Sequence, residues 1–283
     1  IINKQVKAIF INKVGDVARN SFDNIVLSSL LGLTVVAIYN NYYYIFSALY
    51  GIMLMISHSM QASVGNSVVK ESIEKNYNDF IKFSFIYSWI TGWATISMVS
   101  LYQPFMIIWM SGKSDMLLSF GDMLLLCIYF YFINMNNIRN LYLNVNGLYW
   151  ECRIWYIVEA VANLLLNIFL GYHLGVTGII LATIITIFVF NFIIRTNILF
   201  RYYFKISKMK FYRLHLFYFI VTCISGMITY ILCLFIPIDG ILGLGLKGIV
   251  CVIVPNVIYF VLYHETNEFK VAVTFVKKIF NKT

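Results

Sequence analysis

Eight apolar stretches, separated by short polar or basic segments, run along the chain. A hydrocarbon layer of about 30 Å takes roughly 20 residues of helix. On that measure, membrane-spanning helices are predicted over residues 14–33, 35–60, 80–101, 116–136, 154–172, 176–194, 214–236 and 241–263. Gly112, Gly175 and the stretch 237–240 mark tight turns on one side, while longer polar or basic connections fall on the other. The predicted class is all-α, a polytopic transmembrane helical bundle. Its expected organisation is a six-helix bundle over 1–196, a basic loop with two further spans over 197–263, and a basic tail over 264–283. In that tail Phe269, Val273, Val276 and Phe280 recur at helical spacing with lysines between them, the pattern of a helix lying on the inner membrane surface.

Composition agrees with the pattern. The 283 residues are 61% hydrophobic, 18% aromatic and only 12% charged, whereas soluble domains carry about 25% charged residues. A cytosolic enzyme or a nucleic-acid-binding module is excluded on that ground, and no nucleic-acid partner is expected. The net charge of +9, from 21 Lys and Arg against 12 Asp and Glu, is accounted for by topology. With the first segment inside, eighteen basic residues fall on one face, against Lys113 and Lys247 on the other, with Arg19 left within the first span. Both ends are therefore expected on the cytoplasmic side. The chain opens at Ile1 with no signal-peptide pattern, which is expected of a piece of a longer protein. Cys127, Cys152, Cys223, Cys233 and Cys251 sit singly, mostly within apolar runs, and suggest small core residues rather than a disulfide framework, a metal site or a nucleophile.

The first span departs from the rest because it carries Asp16, Arg19 and Asp23 where lipid-facing leucines belong. An ionised side chain at mid-membrane costs about 2.5 to 3.5 kcal/mol on insertion scales, so these groups must pair, face the bundle or meet water. Asp16, Arg19, Asn20, Asp23 and Leu27 share one helical face, with Arg19 one turn from Asp23. The second span opens with Tyr39, Asn40, Asn41 and Tyr42, a set that serves either as an interfacial aromatic belt or as the wall of a polar cleft. Amides, tyrosines and an arginine suit a sugar, whose hydroxyls need dense hydrogen bonding, and a phosphate, which needs a cation.

Two further polar stripes lie deeper in the chain. Asn136, Asn140 and Asn144 recur every fourth residue, with Asn137 and Arg139 beside them, where the fourth span is expected to emerge into water. Glu159, Asn163 and Asn167 recur at i, i+4 and i+8 in apolar surroundings. The asparagines suit interhelical hydrogen bonding, but Glu159 requires a cation or a proton, and with Asn163 it is a candidate for ion coupling. Gly243, Gly245 and Gly248 spell a dinucleotide-like motif without a preceding strand, so helix packing accounts for them better. His58, His173, His215 and His264 are isolated, and no nucleophile and base share a site. No enzyme, cofactor or metal is predicted.

The runs NSFDNIVLSSLLGL (20–33), VVAIYNNYYYI (35–45) and SVGNSVVKES (63–72) resemble the second half of Wzx-like polysaccharide-repeat flippases. These form a branch of the multidrug, oligosaccharidyl-lipid and polysaccharide exporter (MOP) superfamily. The motif-like agreement is confined to this opening stretch, and the remainder agrees in spacing and hydropathy with helices seven to fourteen. The resemblance implies the second lobe of a two-lobe transporter, with the first lobe outside this sequence. It also implies a lipid-linked oligosaccharide as substrate, membrane lipid as surroundings and alternating access through a central polar cavity. On that basis Arg19 is the candidate for phosphate attraction, with Asp16 and Asp23 orienting it or supplying an ion site, and Asn20, Asn24, Tyr39, Asn40, Asn41 and Tyr42 are candidates for facing the sugar. A drug or ion exporter of the same superfamily is the nearest alternative, and a membrane-embedded glycan polymerase or transferase the more distant one.

Overall fold

A computed structural model of the chain describes residues 2–280; the side chains of Ile2, Asn20 and residues 278–280 lie outside that description. Among the described residues every regular element is helical. In chain order these are α1 (Ile2–Leu31), α2 (Leu33–Ser59), α3 (Gln61–Lys70), α4 (Ile73–Trp109), α5 (Phe120–Met135), α6 (Asn137–Val145), α7 (Tyr149–Leu174) and α8 (Val176–Thr186). A wide-turned segment over Ile187–Ile194 leads into α9 (Arg195–Leu199), and a second wide turn over Phe200–Phe204 follows. The chain closes with α10 (Met209–Leu234), α11 (Gly240–Tyr263) and α12 (Asn267–Phe280).

Six helical segments among the described residues are long and apolar enough to cross a membrane: Leu33–Lys70, Ser114–Val145, Tyr149–Leu174, Val176–Phe204, Met209–Leu234 and Gly240–Tyr263. The other two predicted spans are also long helices, α1 with 30 residues and α4 with 37, but they are more polar. Most helices overrun their predicted limits because an apolar ruler measures only the part that matches hydrocarbon. Helix α1 starts twelve residues before Val14 and carries its lysines on helical turns.

Local signals explain where the helices break. Gly32, with φ of 84°, separates α1 from α2, and Gly175, with φ of 62°, ends α7 and opens α8. Ser119 caps α5: its hydroxyl accepts from the Asp122 backbone N–H at 3.1 Å and donates to the Asp122 carboxylate at 2.7 Å. The same carboxylate accepts from Thr177 Oγ1 at 2.5 Å, tying the start of α8 to the start of α5.

The chain divides into two compact units, Ile1–Ile73 with Leu118–Lys208 and Glu74–Leu117 with Met209–Thr283. This grouping differs from the consecutive stretches expected from the sequence, because α4 belongs with α10, α11 and α12. Aromatic side chains hold the second unit together. Phe80 stacks on Phe211, Phe85 meets Tyr218 and Tyr263 edge-on, and Trp89 meets Tyr259. Trp89 Nε1 donates to Asn256 Oδ1 at 2.8 Å, and Trp93 Nε1 donates to the Cys251 carbonyl at 2.9 Å. Phe269 of α12 packs against Phe85, Trp89 and Phe260, and Phe275 against Phe83. The tail helix therefore rests its aromatic side chains on its own unit, with partners on α4 and α11.

Gly92 of α4 lets this packing close. A methyl group there would lie 2.3 Å from Tyr259 Oη and 2.7 Å from Thr222 Oγ1, which are hydrogen-bonded to each other at 3.1 Å. Gly92→Ala is expected to cost about 1 kcal/mol of stability by overpacking. A thermal melt of the detergent-solubilised variant checks this, and an unchanged midpoint would show that the two side chains yield freely.

In the first unit, α1 runs beside α7 in the same direction, with Gly15 against Tyr156, Arg19 against Glu159 and Asp23 against Asn167. Helix α8 returns along α7 in the opposite sense, placing Thr183 beside Asn163 and Ile179 beside Gly171. These directions are the ones that alternating crossings of a membrane require. Close approach of α1 and α7 depends on Gly15, where a Cβ would fall 2.9 Å from the Tyr156 carbonyl oxygen.

Candidate functional site

Glu159 lies between two arginines. Arg19 Nη1 donates to Glu159 Oε1 at 2.9 Å and Arg195 Nη2 donates to Oε2 at 2.5 Å. All three are buried, with fractional exposures of 6% for Arg19, 2% for Glu159 and 1% for Arg195. The cation that Glu159 requires is thus supplied twice, by α1 and by the start of α9. Arg195 also lies over the Tyr156 ring, 3.4 Å from its centroid, so its planar face is covered by an aromatic partner.

Arg195 directly follows the predicted sixth span, which ends at Ile194, and so counts among the eighteen basic residues expected on the cytoplasmic face, as does Arg139. The helix instead continues, with turns that close from residue i to i+5: the Arg195 backbone N–H reaches the Phe190 carbonyl, and that of Lys205 reaches Phe200 at 2.7 Å. Wide turns of this type occur mostly as short insertions in helices, often at functional positions. Arg139 belongs to the same correction. It is 1% exposed, and its guanidinium donates to the carbonyl and side-chain oxygens of Asn191 and, at 2.7 Å, to Asn140 Oδ1. Two of the eighteen basic residues assigned to one membrane face are therefore interior, because each finds acceptors inside the bundle.

One turn further along α1, Asp23 is held by neutral donors. Asn167 Nδ2 donates to its Oδ1 at 2.6 Å, and the Thr183 hydroxyl lies 3.2 Å from both carboxylate oxygens. Asn163 Nδ2 in turn donates to Thr183 Oγ1 at 3.1 Å, and Asn167 Nδ2 to Asn163 Oδ1 at 3.2 Å. The stripe formed by Glu159, Asn163 and Asn167 is thus the surface on which α1 and α8 place their polar groups.

A cavity of about 350 Å³ opens beside the ion network, wholly within the first unit. Its cations are Lys13, Arg19 and Arg195, its acid is Asp16, and its amides are Gln61, Asn137, Asn140, Asn144 and Asn191, with Tyr50, Tyr156, Ser57 and His58 completing the polar wall. With Glu159 counted, three cations face two carboxylates, so the site keeps one net positive charge for an anion, and it can hydrogen-bond a polyhydroxylated group through its amides.

Of the residues predicted for a substrate site, Asp16 and Arg19 line this cavity. Asp23, Asn24, Tyr39, Asn40, Asn41 and Tyr42 do not, and the Asn20 side chain lies outside the described residues. In the first turns of α2, Asn40 is exposed and Asn41 half-buried, while the rings beside them pack. Tyr39 and Tyr42 are buried, Tyr43 stacks on Tyr39 and on Phe46, and Phe46 packs on Tyr129 and Phe130 of α5. Three of the five amides of the cavity come from α6, whose Asn137, Asn140 and Asn144 share a face at helical spacing. That signal was visible in the sequence but suggested a helix end emerging into water. Tyr50, His58, Gln61, Tyr156 and Asn191 carried no comparable signal, since each stands alone in its segment.

Fold and site together define a polytopic α-helical membrane protein with a buried charge network beside a polar, net-positive cavity. No family model matches the chain, and no curated protein sequence matches it. Among solved structures the fold is similar to that of a MOP superfamily transporter from Pyrococcus furiosus, with a TM-score of 0.53 and 18% identity, covering 98% of this chain and 68% of that one. For that protein, reverse polarity of the binding pocket is described as suggesting a different function.

Proposed function

We propose that the chain is part of an exporter of the MOP superfamily that flips a lipid-linked oligosaccharide across a bacterial inner membrane by alternating access. The observation that carries this reading is the cavity, in which Lys13, Arg19 and Arg195 lie among five side-chain amides and outnumber Asp16 and the adjoining Glu159 by one charge. A diphosphate-linked sugar needs both features: cations for the phosphates and many donors and acceptors for the hydroxyls. A headgroup of that kind cannot enter hydrocarbon unaided, so a polar path through the bundle is the part that a flippase must supply. In this reading the end of α1 that bears Lys4, Lys7 and Lys13 is cytoplasmic, and the cavity receives its substrate from that side.

Ion coupling belongs to Asp23 rather than to Glu159 in this scheme. Glu159 already bonds two guanidinium groups, whereas Asp23 is held by the neutral Asn167 and Thr183, with Asn163 behind them. A carboxylate in neutral, oxygen-rich surroundings can exchange a proton or a small monovalent cation at modest cost. The same cluster gives a drug or ion exporter its strongest support as the rival function.

Arg19→Ala and Asp23→Ala are expected to lose export of the glycan while the proteins remain at normal levels in the membrane. Loss of a charge-assisted contact corresponds to a fall in substrate affinity of about ten- to a hundredfold for Arg19→Ala. Glycan appearing at the cell surface is the measurement. Unimpaired export in both variants defeats the proposal, and loss of drug efflux with intact glycan export selects the rival.

A further inference from the structure

We propose that the cleft between α4 and α12 is a binding site for an anionic phospholipid, with one acyl chain in the cleft and the phosphate on Lys277. The cleft lies within the second unit and has a volume of about 440 Å³, within the range of small-ligand pockets. Two apolar stripes face each other across it. Phe85, Ile86, Trp89 and Ile90 come from α4, and Phe269, Val273 and Val276 are the main contributors from α12.

The chemistry of the lining selects the occupant. Apart from Lys277 at the rim, every lining side chain is hydrocarbon or aromatic. The indole N–H of Trp89, the one polar atom among those rings, is already donated to Asn256 Oδ1 at 2.8 Å. The depth of the cleft therefore offers a ligand no hydrogen bond, which disfavours a sugar, a nucleotide or a peptide backbone and suits a saturated chain.

Lys277 decides between neutral and anionic lipid. It is exposed, and it makes no ion pair among the described residues. Lys82 on α4 is already committed, since it pairs with Asp79 at 2.5 Å and lies over the Phe83 and Phe275 rings. A lysine of this kind at a headgroup depth attracts anionic lipid and leaves zwitterionic lipid without a partner. The apolar cleft and the one cation that lines it among the described residues thus match the two ends of one molecule. This inference concerns a different unit from the transport cavity and stands or falls independently of it.

Trp89 provides the readout. The purified protein is placed in phosphatidylcholine vesicles containing a minor share of phosphatidylglycerol, with bromine on the acyl chains of one lipid at a time. The Trp89 signal is obtained by subtracting the fluorescence of the Trp89→Phe variant. Per mole of lipid, brominated phosphatidylglycerol is expected to quench Trp89 about five-fold more strongly than brominated phosphatidylcholine, the preference that one lysine near an anionic headgroup supplies. Lys277→Gln should remove that preference and Lys277→Arg should retain it. Equal quenching by both lipids would mean an unselective lipid-facing groove, and absence of quenching by either would mean that protein covers the cleft. Each of these results overturns the proposal, as does a preference that survives Lys277→Gln.

Discussion

Glu159→Gln is expected to be the most damaging single substitution in the first unit. It removes the one carboxylate that bonds both Arg19 at 2.9 Å and Arg195 at 2.5 Å, leaving two guanidinium groups buried beside each other. Breaking a buried ion pair by deleting one partner costs about 3 to 5 kcal/mol, because the remaining charge stays desolvated. Here two cations are left, and Asp16 at the cavity wall is the nearby acid that can compensate in part. The check is the thermal midpoint of the purified variant, together with that of Glu159→Gln combined with Arg195→Gln. The double variant should recover part of the loss, since it restores one cation to a neutral neighbour. A Glu159→Gln protein as stable as the parent would show that the network does not hold α1, α7 and α9 together.

Gly15→Leu is expected to produce the next largest effect, by a steric route. Even a methyl group at this position would sit 2.9 Å from the Tyr156 carbonyl oxygen and 3.0 Å from its Cβ, and backbone cannot swing aside as a side-chain tip can. Helix α1 must then withdraw from α7, and Arg19, four residues on, moves away from Glu159. Overpacking of this kind costs about 3 kcal/mol, with the lost ion pair included in the measured effect. A double-mutant cycle separates the two contributions. Gly15→Leu should destabilise the Glu159→Gln background less than it destabilises the parent, because the pair it disturbs is already gone. Strict additivity would place the glycine's role in packing alone.

Much of the architecture could be read from the one-dimensional pattern, because hydrocarbon thickness imposes a length on every apolar helix. All eight long helices appear where the apolar runs lie, and Gly112, Gly175 and Gly240 all take positive φ at the predicted turns. The charged stripe of α1 and the demand of Glu159 for a cation were equally plain, since both follow from the cost of an ion in a low-dielectric setting. The partners were not. Arg19 and Glu159 are 140 residues apart, and nothing in local periodicity selects that pairing over one with Asp16 or Asp23. Arg195 was misplaced because a hydropathy ruler stops where the apolar run stops, whereas backbone hydrogen bonding carries the helix on to Phe204. Burial was not legible for the tyrosines of α2 either. Their hydroxyls suggest binding chemistry, but periodicity does not say that Tyr39 and Tyr42 are buried, with Tyr39 stacked on Tyr43.

The wide-turned stretch between Thr186 and Arg195 also gives this helix a place where chain length can change. One residue fewer in an ordinary α-helix turns everything after it by about 100° around the axis. A turn closed from residue i to i+5 already holds one residue more than an α-helical turn, so a deletion there tightens the turn and leaves Arg195 on the face shared with Glu159 and Tyr156. Natural variation of one residue in length is therefore better tolerated at 187–194 than in the regular helix on either side.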